Sequence, residues 1–119
     1  HQTSPELGRS IMQTGFNPNY GEAHASADIA GAATYFATDL RATNWKAWHK
    51  GFCIEVKVYL GHPKEEPRHP HSGLSLEFLN SQCYDSVHID RGYEGGDEYA
   101  VYAADQMPRS LYKHVDCLH

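Results

Sequence analysis

The strongest constraint on the fold is a run of alternating side chains in residues 52–60. One face of this run is apolar and the other carries charges: Phe52, Ile54, Val56, Val58 and Leu60 oppose Glu55 and Lys57. A period of two is typical of a β-strand that buries one face. Gly61 ends the pattern, and the proline-containing residues 62–73 are predicted to form a surface loop. The chain must therefore build a sheet whose apolar face packs on other elements.

Shorter strands are predicted in the second half of the chain. Residues 86–89 and 98–103 are expected to pair as antiparallel strands across a glycine-rich turn at residues 91–97. Residues 110–115 alternate apolar and polar side chains and are predicted to form the last strand. Residues 74–82 fit a short helix and a strand equally well.

A helix is predicted near the start of the chain, over residues 4–13. Ser4 can cap it, Pro5 suits the first helical position, and Glu6 favours the positive end of the helix dipole. Gly15 is a suitable stop signal.

A second helix is predicted from Thr38 or Asp39, either of which can cap it, to about His49. Residues 16–33 are rich in glycine, alanine and asparagine and are predicted to form a long loop. We expect residues 1–119 to form one domain, because no repeat or boundary interrupts them. The expected fold is α+β, with split antiparallel or mixed β-sheets and two short helices packed on them.

Composition argues against several classes of protein. The net charge of −5 argues against unaided wrapping of nucleic acid, because phosphate binding requires a basic surface. No apolar run approaches the roughly 18 residues of a membrane span, so no membrane association is expected. His62, His69 and His71 lie in the predicted loop and are expected to be exposed, so no metal site is expected.

Cysteine content bears on the compartment. Cys53, Cys83 and Cys117 are an odd number, and we expect structural thiols in a reducing compartment, either cytoplasm or nucleus. The alternative is a secreted protein with one disulfide and one free thiol.

Three short motifs, in order along most of the chain, carry a resemblance to a known family. His1-Gln2-Thr3 resembles a His-Gly-Thr motif, Tyr35-Phe36-Ala37 resembles a Tyr-Phe-Ala motif, and Glu98-Tyr99 opens an alternating strand. A His, a Tyr and a Glu in these settings resemble the triad of ADP-ribosyltransferases of the poly(ADP-ribose) polymerase type. The resemblance implies an ADP-ribosyltransferase-like fold and NAD as the substrate.

The chemistry of NAD cleavage explains why such residues would be needed. When the nicotinamide bond breaks, C1′ of the ribose becomes cationic, and a nearby carboxylate stabilises that charge and orients the nucleophile. The resemblance implies that Glu98 is this carboxylate. It also implies that Tyr35 forms one wall of the nicotinamide slot.

The resemblance assigns further binding roles around the first strand. His1 would hydrogen-bond the adenosine ribose and help to place the nicotinamide amide, and the backbone of Gln2 would bind the carboxamide. Thr3 completes the first motif, and Thr43 lies where the family has its carboxamide-binding Ser. Gln2 departs from the family, which has a glycine at this position.

The opposite wall of the nicotinamide slot is a second departure. The family places a Tyr three residues after the carboxamide-binding Ser, whereas this chain has Lys46. Trp45 or Trp48 is expected to substitute for that aromatic ring.

The expected activity is NAD-dependent transfer of single ADP-ribosyl units to a protein side chain or a nucleic-acid end. The alternatives are an NAD glycohydrolase, which uses water as the acceptor, and a non-catalytic module that binds NAD or ADP-ribose. A monomer is expected.

Overall fold

Two β-sheets form the framework of the protein in the computed structural model. It describes residues 1–16, 33–47, 49–66, 74–90 and 97–118, without the side chains of residues 45 and 46. The strands are β1 (Gln2–Thr3), β2 (Thr34–Ala37), β3 (Phe52–Glu55), β4 (Pro63–Glu66), β5 (Ser86–Ile89), β6 (Glu98–Val101) and β7 (Lys113–Val115). The α-helices are α1 (Pro5–Thr14), α2 (Thr43–Lys46) and α3 (Leu76–Ser81), and two 3₁₀ helices span Ala104–Gln106 and Arg109–Leu111.

The two sheets differ in size and in strand direction. Sheet one is antiparallel with strand order β1-β3-β7, and sheet two has the order β2-β6-β5-β4. In sheet two only the β4–β5 pair is parallel. The expected α+β class with antiparallel and mixed sheets is confirmed. The described residues contain three short α-helices, one more than expected.

Helix α1 follows the sequence prediction closely. The Ser4 hydroxyl accepts a hydrogen bond from the Leu7 N–H at 3.2 Å, and Pro5 opens the helix. Gly15 closes it with a φ of 91°, which favours glycine. Gly8 lies directly against the Phe52 ring, where a methyl group would collide. This contact brings α1 close to β3.

The second predicted helix is wrong over most of its length. Asp39 caps a turn instead, because its Oδ1 accepts from the Arg41 N–H at 3.0 Å. Only Thr43–Lys46 is helical, and Ala47 is already extended with a ψ of 135°. Residues that compete with backbone hydrogen bonds or carry bulky rings favour helices weakly, and the segment lacks a side-chain cap at Ala42.

Two predictions on the central strand and its loop need correction. The strand predicted over 52–60 ends at Glu55, because its partner β7 pairs only as far as Lys113. Part of the predicted loop 62–73 is the strand Pro63–Glu66. Pro63 is tolerated because it begins an edge strand. Residues 67–73 lie outside the described part of the chain.

Of the remaining sequence predictions, some are confirmed and others need correction. Strands Ser86–Ile89 and Glu98–Val101 are confirmed as an antiparallel pair. The ambiguous segment 74–82 forms α3, which the Ser75 hydroxyl caps. The last strand is shorter than predicted, because a 3₁₀ helix takes up Arg109–Leu111. The predicted loop 16–33 and turn 91–97 lie almost wholly outside the described residues.

The core is divided between the two faces of sheet two. One apolar cluster consists of Ala33, Tyr35, Leu74, Leu79, Val87, Ile89 and Ala100. The other lies towards sheet one and consists of Ile11, Phe16, Phe36, Phe52, Ile54, Val101 and Met107. No helix in the described ranges has the length and apolar character needed to cross a membrane.

The expectation of three free thiols is wrong. Cys53 on β3 forms a disulfide with Cys117 after β7, and their Cα atoms are 5.4 Å apart. Cys83 is a free and exposed thiol. The cysteines therefore match the alternative of one disulfide and one unpaired thiol.

Candidate functional site

His1 joins the edges of the two sheets. Its backbone exchanges both hydrogen bonds with Ile54, at 3.1 and 2.8 Å, and so extends the β1–β3 ladder. Its ring Nδ1 lies 2.9 Å from the backbone oxygen of Tyr35 on β2. Because a carbonyl can only accept, Nδ1 carries the hydrogen of this bond. The ring also packs edge-on against Phe16 and lies near Phe36.

The backbone of Gln2 points away from β3. In an antiparallel ladder, pairs that exchange two hydrogen bonds alternate with pairs that exchange none. His1 and Ile54 are a bonded pair, so the next pair, Gln2 and Cys53, is not. The N–H and C=O of Gln2 therefore lie on the outer edge of β1. One residue thus offers a donor and an acceptor side by side, which is complementary to a primary carboxamide.

Tyr35 and Glu98 lie on the same face of sheet two. Glu98 pairs with Ala37 and Tyr35 pairs with Ala100, so both side chains project to one side of neighbouring strands. Such diagonal neighbours are about 7–8 Å apart, within reach of long side chains. The triad residues are therefore brought to three elements that meet: His1 at the edge of sheet one, Tyr35 on β2 and Glu98 on β6.

Both side chains are buried. Tyr35 is 4% exposed and packs in the cluster that contains Leu79 and Val87, while Glu98 is 1% exposed. Tyr35 is thus a core residue in this structure. A ligand that reaches either side chain must displace whatever part of the chain covers it.

Thr3 carries a buried hydroxyl at the end of β1. Its Oγ1 makes no hydrogen bond to any other described residue, although the residue is only 1% exposed. Buried hydroxyls are usually paired, so this one is unusual among the described residues. Thr3 and His1 are two apart on an extended segment and project to the same side.

The Gln2 side chain ties β1 to α2. Its Nε2 donates to Thr43 Oγ1 at 2.8 Å and to Asn44 Oδ1 at 2.9 Å, and its Oε1 accepts from the Gly51 N–H at 3.0 Å. The side chain is therefore directed at α2 and leaves the outer backbone edge uncovered by its own atoms.

A cavity of about 440 Å³ lies beside His1 and α2. His1, Ala37 and Thr43 line it, together with apolar residues that include Phe36, Leu40, Ile54, Val56, Val58 and Leu60. Tyr99 is also in the lining, whereas its neighbour Glu98 and Tyr35 are not, because they project to the other face of the sheet. Of the three motif residues His1, Tyr35 and Glu98, the cavity therefore adjoins His1 alone.

The candidate residues for the second aromatic wall lie largely outside what the structure describes. The backbone of Trp45 belongs to α2, but its side chain is not described, and Trp48 lies outside the described residues. His69 and His71 also lie outside them. His62 is described, and its Nδ1 bonds the backbone oxygen of Cys83 at 2.9 Å.

Several polar groups near the site were missed by sequence reasoning. Glu66 on β4 is buried, lies in the same cross-strand row as Glu98 and pairs with Lys64 at 2.5 Å. Burial, followed by the charges of Tyr35 and Glu66, raises the pKa of the nearby Tyr102 phenol. Residues 63–66 were predicted as loop, and no local signal marks a strand there.

A cluster on the opposite face of sheet two was also missed. His88 Nδ1 lies 2.6 Å from Glu65 Oε2, and its Nε2 lies 2.8 Å from Asp97 Oδ2. The ring stacks on Tyr99, with centroids 4.6 Å apart. Because both ring nitrogens face carboxylates, this geometry requires the charged imidazolium. Asp97 immediately precedes Glu98, so the cluster anchors the start of β6.

Comparison with known proteins adds no relative, since no protein family, no curated protein and no solved structure matches this chain. The site must therefore be judged from its own residues and geometry.

Proposed function

We propose that the protein is an NAD-dependent ADP-ribosyltransferase with an ADP-ribosyltransferase-like fold. The observation that carries this proposal is the placement of Tyr35 and Glu98 on one face of adjacent strands, with His1 hydrogen-bonded to the Tyr35 backbone. His1 and Glu98 are 97 positions apart along the chain, with Tyr35 between them. We propose that one dinucleotide contacts all three.

In the proposed reaction, each residue acts on a different part of NAD. The outer N–H and C=O of Gln2 bind the carboxamide, and Nε2 of His1 accepts a hydrogen bond from a ribose hydroxyl. Glu98 stabilises positive charge at C1′ as the bond to nicotinamide breaks, and it orients the incoming nucleophile. Water exclusion around the buried Glu98 strengthens this electrostatic effect.

The burial of Glu98 favours a second candidate, NAD hydrolysis. A carboxylate that is 1% exposed is reached more easily by water than by the side chain of a macromolecule. The same residues would serve, since only the nucleophile changes. Labelled NAD distinguishes the two: transfer leaves the adenylate label on an acceptor, whereas hydrolysis leaves it on free ADP-ribose.

The disulfide supports a setting outside the reducing cytosol for this activity. Disulfides persist in oxidising compartments, and Cys53 lies opposite Gln2 in the β1–β3 ladder. We therefore propose that the active form is the oxidised one.

Release of nicotinamide from NAD tests the proposed function. The wild type should release it, and Glu98→Gln should lower kcat by a factor of about 100 or more while NAD still binds. Glu66→Gln is the matched control, because Glu66 is also a buried carboxylate in the same row of sheet two. Absence of release by the wild type, or a normal rate in Glu98→Gln, contradicts the proposal.

A further inference from the structure

The His88 ring contacts both residues that flank Glu98 in the chain. Its Nε2 lies 2.8 Å from Asp97 Oδ2, and its plane stacks on the Tyr99 ring with centroids 4.6 Å apart. Asp97 precedes Glu98 and Tyr99 follows it. Because side chains alternate along a strand, these two neighbours project to one face of sheet two and Glu98 projects to the other. His88 therefore holds the start of β6 from the face opposite the proposed catalytic carboxylate.

The ring is itself fixed by the neighbouring strands. His88 on β5 lies directly opposite Tyr99 on β6 and directly opposite Glu65 on β4. Its Nδ1 lies 2.6 Å from Glu65 Oε2. The ring is thus held at both nitrogens and against one of its faces, and only 17% of the side chain is exposed. The contacts join three strands of sheet two behind Glu98.

The hydrogen bond to Asp97 depends on the charge of the ring. A carboxylate only accepts, so both ring nitrogens must carry hydrogens, as they do in the imidazolium. The described groups that face the ring are Glu65 from β4, and Asp97 and Tyr99 from the β6 side. Burial lowers the pKa of His88, but its hydrogen bonds to the two carboxylates and their charges outweigh that effect and raise the pKa. A neutral ring has one hydrogen and can bond only one of the two carboxylates.

We propose that charged His88 is a positioning residue that fixes Glu98 for the reaction, an inference that rests on the proposed NAD chemistry. His88 does not contact NAD, because the dinucleotide lies on the Tyr35 and Glu98 face of the sheet. When the ring loses its proton, Asp97 loses its donor in part of the molecules, and the backbone at Glu98 is held less firmly. A displacement of about 1 Å can cost about 100-fold in rate. Turnover should therefore fall when His88 is deprotonated, whereas NAD affinity should not.

The test is nicotinamide release at saturating NAD as the pH rises from about 6 to about 9. The wild-type kcat should fall, and the midpoint of the fall should match the titration of the His88 ring observed by NMR. His88→Gln should lower kcat about tenfold at about pH 6 and should abolish the fall. In the Glu98→Gln background, where turnover is blocked, the same substitution should change the NAD dissociation constant by about twofold or less.

Asp97→Asn separates the charge from the hydrogen bond. Its side chain keeps an oxygen that accepts from the ring, so kcat at about pH 6 should stay within about threefold of the wild type. With one carboxylate fewer, His88 loses its proton more easily, and the fall in kcat should move to lower pH. His62→Gln is the matched control, because His62 bonds the backbone oxygen of Cys83 and no residue beside Glu98. Its profile should equal that of the wild type.

Two results overturn this inference and leave the proposed function standing. One is a wild-type kcat that does not follow the His88 titration, or a fall that persists in His88→Gln. The other is an unshifted fall in Asp97→Asn, which alone decides the matter if His88→Gln does not fold. A wild type that releases no nicotinamide at any pH overturns the proposed function, and this inference with it.

Discussion

The imidazole Nδ1 of His1 donates to the backbone oxygen of Tyr35 at 2.9 Å and so fastens the edge of sheet one to the edge of sheet two. The same ring packs against Phe16 and Phe36 in the core between the sheets. His1 is therefore a structural link between the sheets as well as a member of the proposed triad.

His1→Phe should destabilise the protein by about 1–3 kcal/mol, because the ring contacts survive while a buried carbonyl loses its donor. Urea unfolding measures this loss. His114→Phe is the control: that exposed ring stacks on Phe52, 3.9 Å between centroids, and the substitution keeps an aromatic ring there, so stability should change by about 0.5 kcal/mol or less. If His1→Phe is as stable as the wild type, the hydrogen bond from His1 to the Tyr35 backbone does not hold the two sheets together.

Tyr35 should act through its ring rather than its hydroxyl. Tyr35→Phe keeps the ring and should bind NAD within about threefold of the wild type, whereas Tyr35→Leu loses aromatic contact and should bind about tenfold more weakly. Denaturation of each variant separates binding from stability, since Tyr35 is 4% exposed and belongs to the core. Equal affinity in all three proteins would remove Tyr35 from the nicotinamide slot.

Loss of the Cys53–Cys117 disulfide should lower the free energy of unfolding by about 4 kcal/mol, because it closes a long loop in the unfolded chain. The bridged residues are 64 positions apart. The double variant Cys53→Ala, Cys117→Ala measures the effect, and Cys83→Ser, at an exposed thiol, should change little. A double variant as stable as the wild type contradicts the role of the disulfide.

The His88 cluster should make stability depend on pH above neutrality. Burial lowers the pKa of His88, but the hydrogen bonds that its ring donates to Asp97 and Glu65, together with the charges of these carboxylates, outweigh that effect, so the pKa is raised above its usual 6.5. A raised folded-state pKa stabilises the protein fully below the unfolded value, and the gain is lost as pH rises through the folded value.

The measurement is the urea midpoint as the pH rises from about 6, near the usual pKa of histidine, to about 9. The groups that face the His88 ring are Glu65, Asp97 and the stacked Tyr99. The wild type should lose stability relative to His88→Gln as pH rises. Parallel profiles for the two proteins would contradict the contribution of the His88 cluster to stability.

Local sequence signals predicted the elements that depend on local interactions. Helix α1 has its cap, proline and glycine within its own residues, and the β5–β6 pair lies close together in sequence. Strand β4 could not be predicted, since its parallel pairing with β5 joins residues 23 positions apart and its own residues are charged or proline. Parallel neighbours of this kind are specified by tertiary packing.

The candidate site was predictable only in part for a related reason. The motifs indicated His1, Tyr35 and Glu98, and the register places them on strands that meet. The role of the Gln2 side chain depends on where α2 begins and on the Gly51 amide, which no pattern in the sequence reports. Hydrogen-bond direction is a property of the folded network, so it became visible only in the structure.

The most direct measurement is a crystal structure of Glu98→Gln with NAD, in which turnover is blocked. We expect the carboxamide to contact the outer N–H and C=O of Gln2, with the nicotinamide ribose beside the side chain at position 98. NAD bound elsewhere, with His1, Tyr35 and residue 98 all remote from it, would contradict the central claim that these residues surround one dinucleotide.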